Sequence, residues 1–581
     1  MSIDHLSKCW DLVVVGGGIT GAGVFREAVR IGLKTLLLEQ RDFAWGTSSR
    51  SSKMVHGGLR YLKQGQLLLT RTSVVERQRL VREAEGLVEP LEFLTPVYKD
   101  QSPGKWVMGA GLTIYSALAG SIQHKYYHKN AFLKRVPSIR SDGLEGGYSF
   151  WDAGVDDARL VLRLINDGQQ KQGNSSQPNG TALNYTKVKQ ILRDEQGFVK
   201  GVLIEDCFLK KERTIETPVV INASGAWAST LHPCPDSKLH LRPLRGSHLV
   251  FPHSLLPINQ VVSFIHPEDR RPIFIFPWEG ATFLGTTDVD HKFSNNVEDT
   301  LYNKIGHNLE VNMGDSDRQH AGMIDINQEP AMSKHEALYL IDGFKWAFPD
   351  IKLSIKDSVA TIAGIRPVLS SGKRNPSEES REHVVWKDRG LVTVTGGKLT
   401  TFRQLAADTL NAAKPFMKIK DREEPELLEK TKTVHGSLFN VDNSIFEFDT
   451  PIFESDKELI LKSPYSNKIA LKDWRRLYGR YGKDALDIVE NSKIEDLERI
   501  GSTNYLWAEL PYSAANGQIR SLDDLLMRRV RIGLLLPYGG QEHFKRIKEL
   551  CQPILGWDDL HFNQEILRYR ELWHKAYSVP I

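Results

Sequence analysis

Residues 10–39 of the chain read WDLVVVGGGITGAGVFREAVRIGLKTLLLE, and this stretch decides the fold. The apolar run 12–15 predicts a buried strand, and it leads directly into a glycine-rich turn at residues 16–23. A helical pattern follows over residues 24–31, and a second apolar run, 35–38, predicts another strand. The order strand, glycine turn, helix, strand indicates a Rossmann-like α/β unit.

The spacing of the glycines indicates what the turn does. Gly16 allows the tight turn, Gly18 lets the backbone come close to a pyrophosphate, and Gly21 lets the helix pack tightly on the strand. The N–H groups at the start of the helix then face the phosphates. Glu39 lies 18 residues beyond Gly21, where a carboxylate commonly holds a ribose hydroxyl. The stretch therefore predicts a dinucleotide site, and the carboxylate favours FAD or NAD over NADP.

The loop after this carboxylate is dense in hydroxyl groups, glycines and cations. Residues 46–61 read GTSSRSSKMVHGGLRY, a composition that can surround a cofactor with hydrogen bonds and bring Arg60 towards an anion. The run from the threonine to the tyrosine resembles the signature of the FAD-dependent glycerol-3-phosphate dehydrogenases, which are flavoproteins distinct from the soluble NAD-linked enzymes. The resemblance covers most of the chain and is strongest in residues 10–61, 219–288 and 359–403.

Composition narrows the class of protein. A chain of 581 residues is too long for one core, so two or three domains are expected. The net charge of +4 is too small an excess to indicate a nucleic-acid partner. The four cysteines are far apart and form no C-x-x-C motif, so neither a disulfide framework nor a metal site is expected, and a reducing compartment fits.

The hydropathy of the chain predicts neither a signal peptide nor a transmembrane helix. Residues 1–10 lack an apolar core, and no run of about 18 apolar residues occurs. Residues 106–122, WVMGAGLTIYSALAGSI, read either as an interfacial membrane segment or as a buried helix. The resemblance favours contact with a membrane, because its enzymes lie on the membrane surface and pass electrons to a quinone. We therefore expect a cytoplasmic protein, peripheral on the cytoplasmic face of the membrane.

The resemblance also implies an α/β (α+β) architecture. It combines a Rossmann-like FAD-binding domain of the glutathione-reductase/D-amino-acid-oxidase type with an antiparallel-sheet substrate domain and a helical carboxy-terminal domain. The FAD-binding domain is expected to comprise residues 1–100, 205–245 and 350–413. The substrate domain is expected to comprise residues 101–204 and 246–349, and the helical domain residues 414–581. The polar stretch 291–332 is about thirty residues longer than the family pattern suggests, and we expect a surface insertion there because long loops cost little to close.

Two further segments supply candidate contacts to the cofactor. Residues 218–227 predict a buried strand that ends at a glycine turn, and residues 390–403 predict a strand, a glycine pair and a helix start. The N–H groups of such a helix start suit the negative charge of a reduced flavin. FAD is expected to bind non-covalently, and the candidate cofactor-binding residues are Gly16, Gly18, Gly21, Glu39, Thr47, Ser48, Ser49, Ser52, Gly225, Gly397, Lys398, Leu399 and Thr400.

The substrate that the resemblance implies is sn-glycerol 3-phosphate, a secondary alcohol that carries a dianion. Arginine suits the phosphate, because its planar fork pairs with two oxygens at once. Matching the family motif residue by residue gives the substrate-binding candidates Arg60, Tyr61, Arg366, Arg381 and Lys398.

The catalytic roles follow from the same match. Arg366 would lie by the reacting carbon and stabilise a developing alkoxide, with help from Lys398. The base is left open between His56 and His248, since the ordinary pKa of histidine suits proton transfer near neutral pH. The expected product is dihydroxyacetone phosphate, with flavin N5 as the hydride acceptor.

Three alternatives remain open at this point. The closest is a glycerol-3-phosphate oxidase, which passes the electrons to oxygen. An amine or amino-acid oxidase of the same superfamily and a flavin-binding sensor without turnover are more remote. The oligomeric state is also open, with a homodimer as the common default. Arg528, Arg529 and Arg531 could face lipid headgroups or form ion pairs within their domain.

Overall fold

The structure is a computed structural model. It describes residues 3–63, 65–120, 124–170, 179–232, 240–291, 328–370, 379, 382–417, 465 and 467–581, except for the side chains of residues 60, 63 and 240. Most of the predicted insertion, residues 292–327, lies outside this part of the chain, as do Arg381 and the side chain of Arg60.

A largely parallel sheet forms the centre of the first half of the fold. In the described residues it has six strands, and neighbours run parallel except at one edge, where the last pair is antiparallel. From that edge the strands are His383–Asp388, Leu391–Gly396, Val220–Asn222, Leu12–Val15, Thr35–Leu38 and Gly180–Leu183. The Rossmann-like unit predicted at the amino terminus is confirmed.

Helices cover one face of this sheet and a small antiparallel sheet covers the other. The helix Ile19–Arg30 packs against Asp157–Gln169 and Phe402–Ala413 through aliphatic and small side chains. On the opposite face, Val202, Ile204 and Ile215 pack against the parallel strands. The strands of the small sheet are Glu212–Glu216, Val199–Asp206 and Thr186–Arg193.

Several strands cross the predicted domain boundaries, Gly180–Leu183 among them. Those boundaries assign residues 101–204 to the substrate domain, whereas Gly180–Leu183 pairs in parallel with Thr35–Leu38 in the first sheet. The strand is only four residues long, so its pairing with a distant partner gives no local signal in the sequence. The division of the whole chain at the predicted boundaries stays a prediction.

A second, larger sheet forms the other half of the fold. It is mostly antiparallel, with one parallel pair between Val261–Ile265 and Val88–Tyr98. Its strands in order are Val289–Asp290, His240–Pro252, Ala281–Gly285, Pro272–Trp278, Val261–Ile265, Val88–Tyr98, Leu144–Val155 and Met54–Val55, with Ala360–Ser370 paired to His240–Pro252 and His124–His128 paired to Leu144–Val155. The remaining helices before residue 418 are Leu59–Lys63, Leu67–Glu83, Lys105–Leu118, Lys129–Arg135, Ala228–Leu231 and Lys334–Ala347.

The segment predicted as either interfacial or buried forms the helix Lys105–Leu118. It has one packed face, with Leu112, Tyr115 and Ser116 buried. Its other face is open, since Trp106 is 83% exposed and Val107 is 68% exposed. Within the described residues, no helix combines the length and the apolar character that crossing a bilayer requires.

The carboxy-terminal region is helical, as predicted. Its apolar side chains share one core with the large sheet, where Phe276 and Phe283 meet Leu525 and Tyr569. From residue 467 onward, its α-helices are Leu471–Tyr481, Asp484–Glu490, Glu509–Asn516, Ile532–Leu535, Phe544–Leu555 and Asp559–Ala576, with a π-helix at Asp524–Arg529.

The three arginines that could have faced lipid are buried. The side chains of Arg528, Arg529 and Arg531 are 2%, 1% and 0% exposed. They pair with carboxylates of the amino-terminal half, Asp42 and Asp157 among them. The lipid-headgroup alternative is therefore wrong, because exposing these groups would break buried ion pairs.

Candidate active site

A cavity of about 1440 Å³ is lined by residues of both large sheets. It contains the glycine turn at Gly16 and Gly18 and reaches Arg366 and Lys398 on more distant parts of the chain. Ligand pockets for drug-sized molecules enclose roughly 300–1,000 Å³, so this cavity suits a ligand as long as a dinucleotide together with a small substrate.

The glycine turn is held by two close backbone contacts. Gly16 has φ +110°, and a Cβ atom there would lie 2.6 Å from the carbonyl oxygen of Ala223. A Cβ atom on Gly21 would lie 1.8 Å from the carbonyl oxygen of Gly16. The helix therefore packs directly on the turn, and its first residues, Ile19 and Thr20, line the cavity, where a helix start suits an anion. At Gly18 a Cβ atom would meet only Ser48 Oγ, at 3.1 Å.

Glu39 lies at the end of the second strand and lines the cavity. Its carboxylate accepts hydrogen bonds from the backbone N–H groups of Gly17, at 2.7 Å, and Arg41, at 2.9 Å. Burial raises the pKa of Glu39, and these two N–H donors oppose the rise. A carboxylate oxygen can accept a second hydrogen bond, so Glu39 can still receive a ribose hydroxyl.

The hydroxyl-rich loop lies against the turn. Ser48 Oγ accepts a hydrogen bond from Ile19 N at 2.9 Å, which caps the helix, and Thr47 donates to the carbonyl of Ile365. Thr47, Ser48 and Ser52 line the cavity. Ser49 was predicted beside them, but it is buried behind the loop, where its carbonyl oxygen accepts from Lys53 Nζ at 2.7 Å.

The two later glycine turns also reach the cavity. Gly225 has φ +60°, and its carbonyl oxygen accepts from Thr395 Oγ1 at 3.1 Å. Gly397 has φ +76° and precedes the turn Leu399–Thr401, after which the helix Phe402–Ala413 begins. The structure thus brings together the predicted cofactor-binding residues at the cavity wall, namely Gly16, Gly18, Glu39, Thr47, Ser48, Ser52, Gly225, Gly397, Lys398, Leu399 and Thr400.

Arg366 lines the cavity from the strand Ala360–Ser370. Its guanidinium donates to Asp288 Oδ1 at 2.8 Å and to Thr286 Oγ1 at 3.0 Å. Asp288 is buried, and it also contacts Arg271 at 3.7 Å. Because Asp288 fixes one edge of the guanidinium, Arg366 is held in place before any ligand binds. Asp288 was not among the predicted site residues, although it ends the G-T-T-D motif at residues 285–288.

Lys398 is the cation with the most altered pKa at this end of the cavity. Its Nζ donates to Ser73 Oγ at 2.6 Å and lies 4.0 Å from the centre of the Tyr61 ring. Burial lowers the pKa of Lys398 to about 7, an effect that the negative charge of Glu382 partly offsets. Ser73, on the helix Leu67–Glu83, was missed by sequence reasoning, because nothing local connects it to the lysine.

The two candidate bases have different surroundings. His56 lines the cavity, and its carbonyl oxygen accepts from Thr400 Oγ1 at 3.4 Å. His248 is 1% exposed and does not line the cavity, but its Nε2 lies 3.0 Å from Ser52 Oγ, which does. Burial, with the nearby charge of Arg366, lowers the pKa of His248 to about 3. His248 is therefore neutral near pH 7 and a weak base.

Two profiles of known families match the chain. The family described as FAD dependent oxidoreductase matches residues 11–403, and the C-terminal domain of alpha-glycerophosphate oxidase matches residues 452–561. Together they extend over both halves of the fold and the carboxy-terminal region.

Similar proteins extend over the whole chain. The aerobic glycerol-3-phosphate dehydrogenase of Bacillus subtilis (strain 168) is 32% identical over 592 aligned residues, which cover 100% of this chain and 97% of the relative. The aerobic glycerol-3-phosphate dehydrogenase of Staphylococcus aureus (strain USA300) is 33% identical over 415 residues, which cover 70% of this chain and 68% of the relative. The structure of the Bacillus halodurans glycerol-3-phosphate dehydrogenase complexed with FAD has a TM-score of 0.70 at 23% identity and covers 98% of this chain and 95% of that one, so it shares the fold.

The glycine turn yields a paired prediction. Gly21→Ala should destabilise the apoprotein, because its Cβ atom would strike the Gly16 carbonyl. Gly18→Ala, whose Cβ atom would meet only Ser48 Oγ at 3.1 Å, should cost the apoprotein less stability than Gly21→Ala but weaken FAD binding about tenfold or more, since a side chain at this turn position hinders the close approach of a pyrophosphate. Thermal unfolding of the apoproteins and fluorescence titration with FAD measure both. Wild-type FAD affinity in Gly18→Ala would contradict the role given to Gly18.

The residues at the cavity wall fit FAD. The glycine turn offers helix N–H groups to a pyrophosphate, Glu39 can receive a ribose hydroxyl, and the turn after Gly397 presents a second helix start. The family profile and the full-length relatives agree with this arrangement. The chain therefore belongs to the FAD-dependent oxidoreductase family, in the group that contains the aerobic glycerol-3-phosphate dehydrogenases, and its cofactor is FAD.

Proposed function

We propose that the protein oxidises sn-glycerol 3-phosphate to dihydroxyacetone phosphate. The observation that carries the proposal is that Arg366 and Lys398 line the same cavity as the glycine turn, with Tyr61 beside Lys398. Two cationic side chains on the wall suit a small alcohol that carries a phosphate dianion. The names of the relatives at 32% and 33% identity support the same substrate.

The chain itself binds the phosphate and orients the alcohol. FAD, when bound, supplies the acceptor for the hydride that leaves the substrate carbon. Arg60 and Arg381 are proposed to hold the phosphate, with Tyr61 alongside, on the match to the family motif. Of these three, only the Tyr61 side chain lies in the described part of the structure. It is 6% exposed, and the ammonium group of Lys398 lies over its ring.

Arg366 is proposed to stabilise the oxygen that loses its proton. Asp288 and Thr286 fix the guanidinium from one side, so little reorganisation is needed when negative charge develops on the substrate. Lys398, as an ammonium, would add a second positive charge there.

His56 is the stronger candidate for the base. It lies on the cavity wall, whereas the neutral His248 meets the cavity only through the hydroxyl of Ser52. A base must come within hydrogen-bond distance of the substrate hydroxyl. His56, on the cavity wall, meets this condition more readily than the buried His248. His248 then serves to orient Ser52.

The electrons are proposed to pass to a quinone at a membrane surface. The open face of the helix Lys105–Leu118 supports this, because Trp106 is exposed while Val107 and Ile114 of the same helix also line the cavity. An apolar helix between solvent and the flavin cavity suits an apolar acceptor that arrives from a bilayer. Peripheral attachment on the cytoplasmic face and a homodimer are part of the same proposal.

Oxygen is the second candidate acceptor. It is favoured by the match of residues 452–561 to the C-terminal domain of alpha-glycerophosphate oxidase. The two acceptors give different products, since only the reaction with oxygen releases hydrogen peroxide.

Anaerobic reduction of the flavin tests the substrate in the wild-type protein and the charge-stabilising role of Arg366 in a variant. Anaerobic glycerol 3-phosphate should bleach the yellow absorbance of the wild-type protein, whereas sarcosine and D-amino acids should not. Arg366→Ala should slow this reduction about 10²-fold, because a fixed cation at the developing charge is lost. Stopped-flow absorbance measures both rates. Near-wild-type reduction by flavin-loaded Arg366→Ala would remove the assignment, and a wild-type flavin that stays oxidised would remove the proposed function.

The pKa of Lys398 predicts a pH dependence. Because the ammonium form is the proposed stabiliser and its pKa lies at about 7, kcat/KM should fall as the pH rises through 7. Lys398→Arg keeps its charge at all these pH values and should flatten the falling limb. A wild-type rate that instead rises through pH 7, with the rise lost in Lys398→Arg, would identify the neutral amine as a base and contradict the ammonium role.

The exposed helix predicts a dependence on the membrane. Trp106→Glu should weaken binding to phosphatidylglycerol vesicles about tenfold and lower quinone reduction in those vesicles, because one large apolar side chain no longer enters the lipid. Reduction of a soluble dye should stay the same. Leu209→Glu, which changes a 65% exposed side chain on another surface, is the control. Peroxide formation equal to substrate consumption, with no quinone reduction, would favour the oxidase.

A further inference from the structure

The carboxy-terminal region reaches back to the loop that lines the cofactor end of the cavity. The π-helix Asp524–Arg529 is followed by Arg531, which has φ +59°. The side chain of Arg531 is 0% exposed. Burying a charged guanidinium completely costs free energy unless its partners are well placed. The contacts of Arg531 therefore indicate what the residue does.

Arg531 contacts the rear of the cofactor-binding loop. Its Nη2 donates to the carbonyl oxygen of Ser49 at 2.7 Å. Its Nη1 donates to Asp156 Oδ1 at 3.0 Å and to Asp157 Oδ1 at 2.9 Å. Ser49 follows Thr47 and Ser48, whose side chains line the cavity, so the guanidinium supports these residues from behind.

Asp157 extends this support along the loop. Its Oδ2 accepts from the backbone N–H of Ser51 at 3.0 Å and from Ser51 Oγ at 2.7 Å. The same carboxylate pairs with Lys53 Nζ at 2.8 Å, and Lys53 Nζ also donates to the Ser49 carbonyl. One buried carboxylate therefore joins Arg531 to the far end of the loop.

The near end of the loop is held from the same segment. Arg529 donates to both carboxylate oxygens of Asp42, at 2.7 Å and 2.8 Å, and Arg528 pairs with Asp42 as well. Asp42 lies three positions after Glu39 and shortly before the cavity-lining residues Gly46 and Thr47. The cavity-facing part of the loop thus runs between two anchors, both of which involve arginines from residues 528–531.

We propose that Arg531 is a positioning residue for FAD, which holds residues 46–52 in the shape that the cofactor requires. Backbone hydrogen bonds within residues 46–52 of the structure are few, from Ser49 N to the Gly46 carbonyl at 3.5 Å and from Arg50 N to the Thr47 carbonyl at 3.1 Å. A loop held in its bound conformation loses less freedom when a ligand binds, and so binds more tightly. The carboxy-terminal region is in this sense part of the cofactor site, although none of the residues that the structure describes in it lines the cavity.

Arg531→Lys tests the proposal while keeping the charge. Lysine lacks the fork and cannot donate to Ser49 and to both aspartates together, so the Kd of the apoprotein for FAD should rise about tenfold or more. The matched control is Arg480→Lys. The Arg480 side chain is 3% exposed and pairs with Asp156 and Glu279, neither of which belongs to residues 46–52. The Arg480→Lys variant therefore weakens a comparable buried ion pair away from the cofactor-binding loop.

The measurements separate positioning from general stability. Thermal unfolding of each apoprotein gives the loss of stability, and fluorescence titration gives the Kd for FAD. The absorbance band shape of the bound flavin should also change in Arg531→Lys and not in Arg480→Lys. These measurements use only apoprotein and FAD, so their outcome is independent of the proposed substrate.

Each outcome decides the matter. Weaker FAD binding in Arg531→Lys, with less than about threefold change in Arg480→Lys, supports the proposal. Wild-type affinity in Arg531→Lys, or equal weakening in both variants, overturns it. If Arg531→Lys does not fold, Asp157→Asn takes its place, since it breaks the same link from the other side; unchanged FAD affinity in Asp157→Asn would then overturn the proposal.

Discussion

The contact between Gly21 and the carbonyl of Gly16 is the constraint on which the rest of the site depends. With only 1.8 Å available to a Cβ atom, the helix Ile19–Arg30 can lie against the turn only if residue 21 has no side chain. That contact places the start of the helix at the cavity wall and sets where Ser48 must lie to accept from Ile19 N. The loop, the carboxylate of Glu39 and the later glycine turns are arranged around this one approach.

Charge in the rest of the site is governed by burial. Asp288 keeps Arg366 in place, whereas Lys398 has a hydroxyl and an aromatic ring as neighbours and its pKa falls to about 7. The same cost of removing charge from water brings the pKa of His248 to about 3. Two cations on the cavity wall and the imidazole behind it thus differ in protonation because their immediate surroundings differ, and this difference permits distinct chemical roles.

The sequence was informative where the signal was local. The strands Leu12–Val15 and Thr35–Leu38 follow from apolar runs bounded by glycines, and the roles of the turn follow from spacing within eight residues. The cavity wall also agreed with most of the residues matched to the family motif. The burial of Ser49 behind the loop could not be read from the sequence, because a run of similar hydroxyl residues does not reveal which of them face the cavity.

Long-range pairing escaped prediction for a different reason. Arg531 meets Ser49 across 482 positions of sequence, and Asp42 meets Arg529 across 487. No periodicity in the sequence connects such partners. A cluster of arginines such as residues 528–531 has the same sequence pattern whether it faces lipid, forms surface ion pairs or is buried. The environment that lowers the pKa of Lys398 also comes from elements that only the folded chain brings together.

The order of strands in the parallel sheet has a consequence for biosynthesis. Leu12–Val15 pairs with Val220–Asn222, which in turn pairs with Leu391–Gly396. During translation the first strand finds its neighbour Thr35–Leu38 early, but its second neighbour is made more than two hundred residues later, and the sheet is complete only after residue 396 has left the ribosome. Strand edges stay unpaired throughout that interval, so the growing chain is more exposed to aggregation than a protein of local contacts would be.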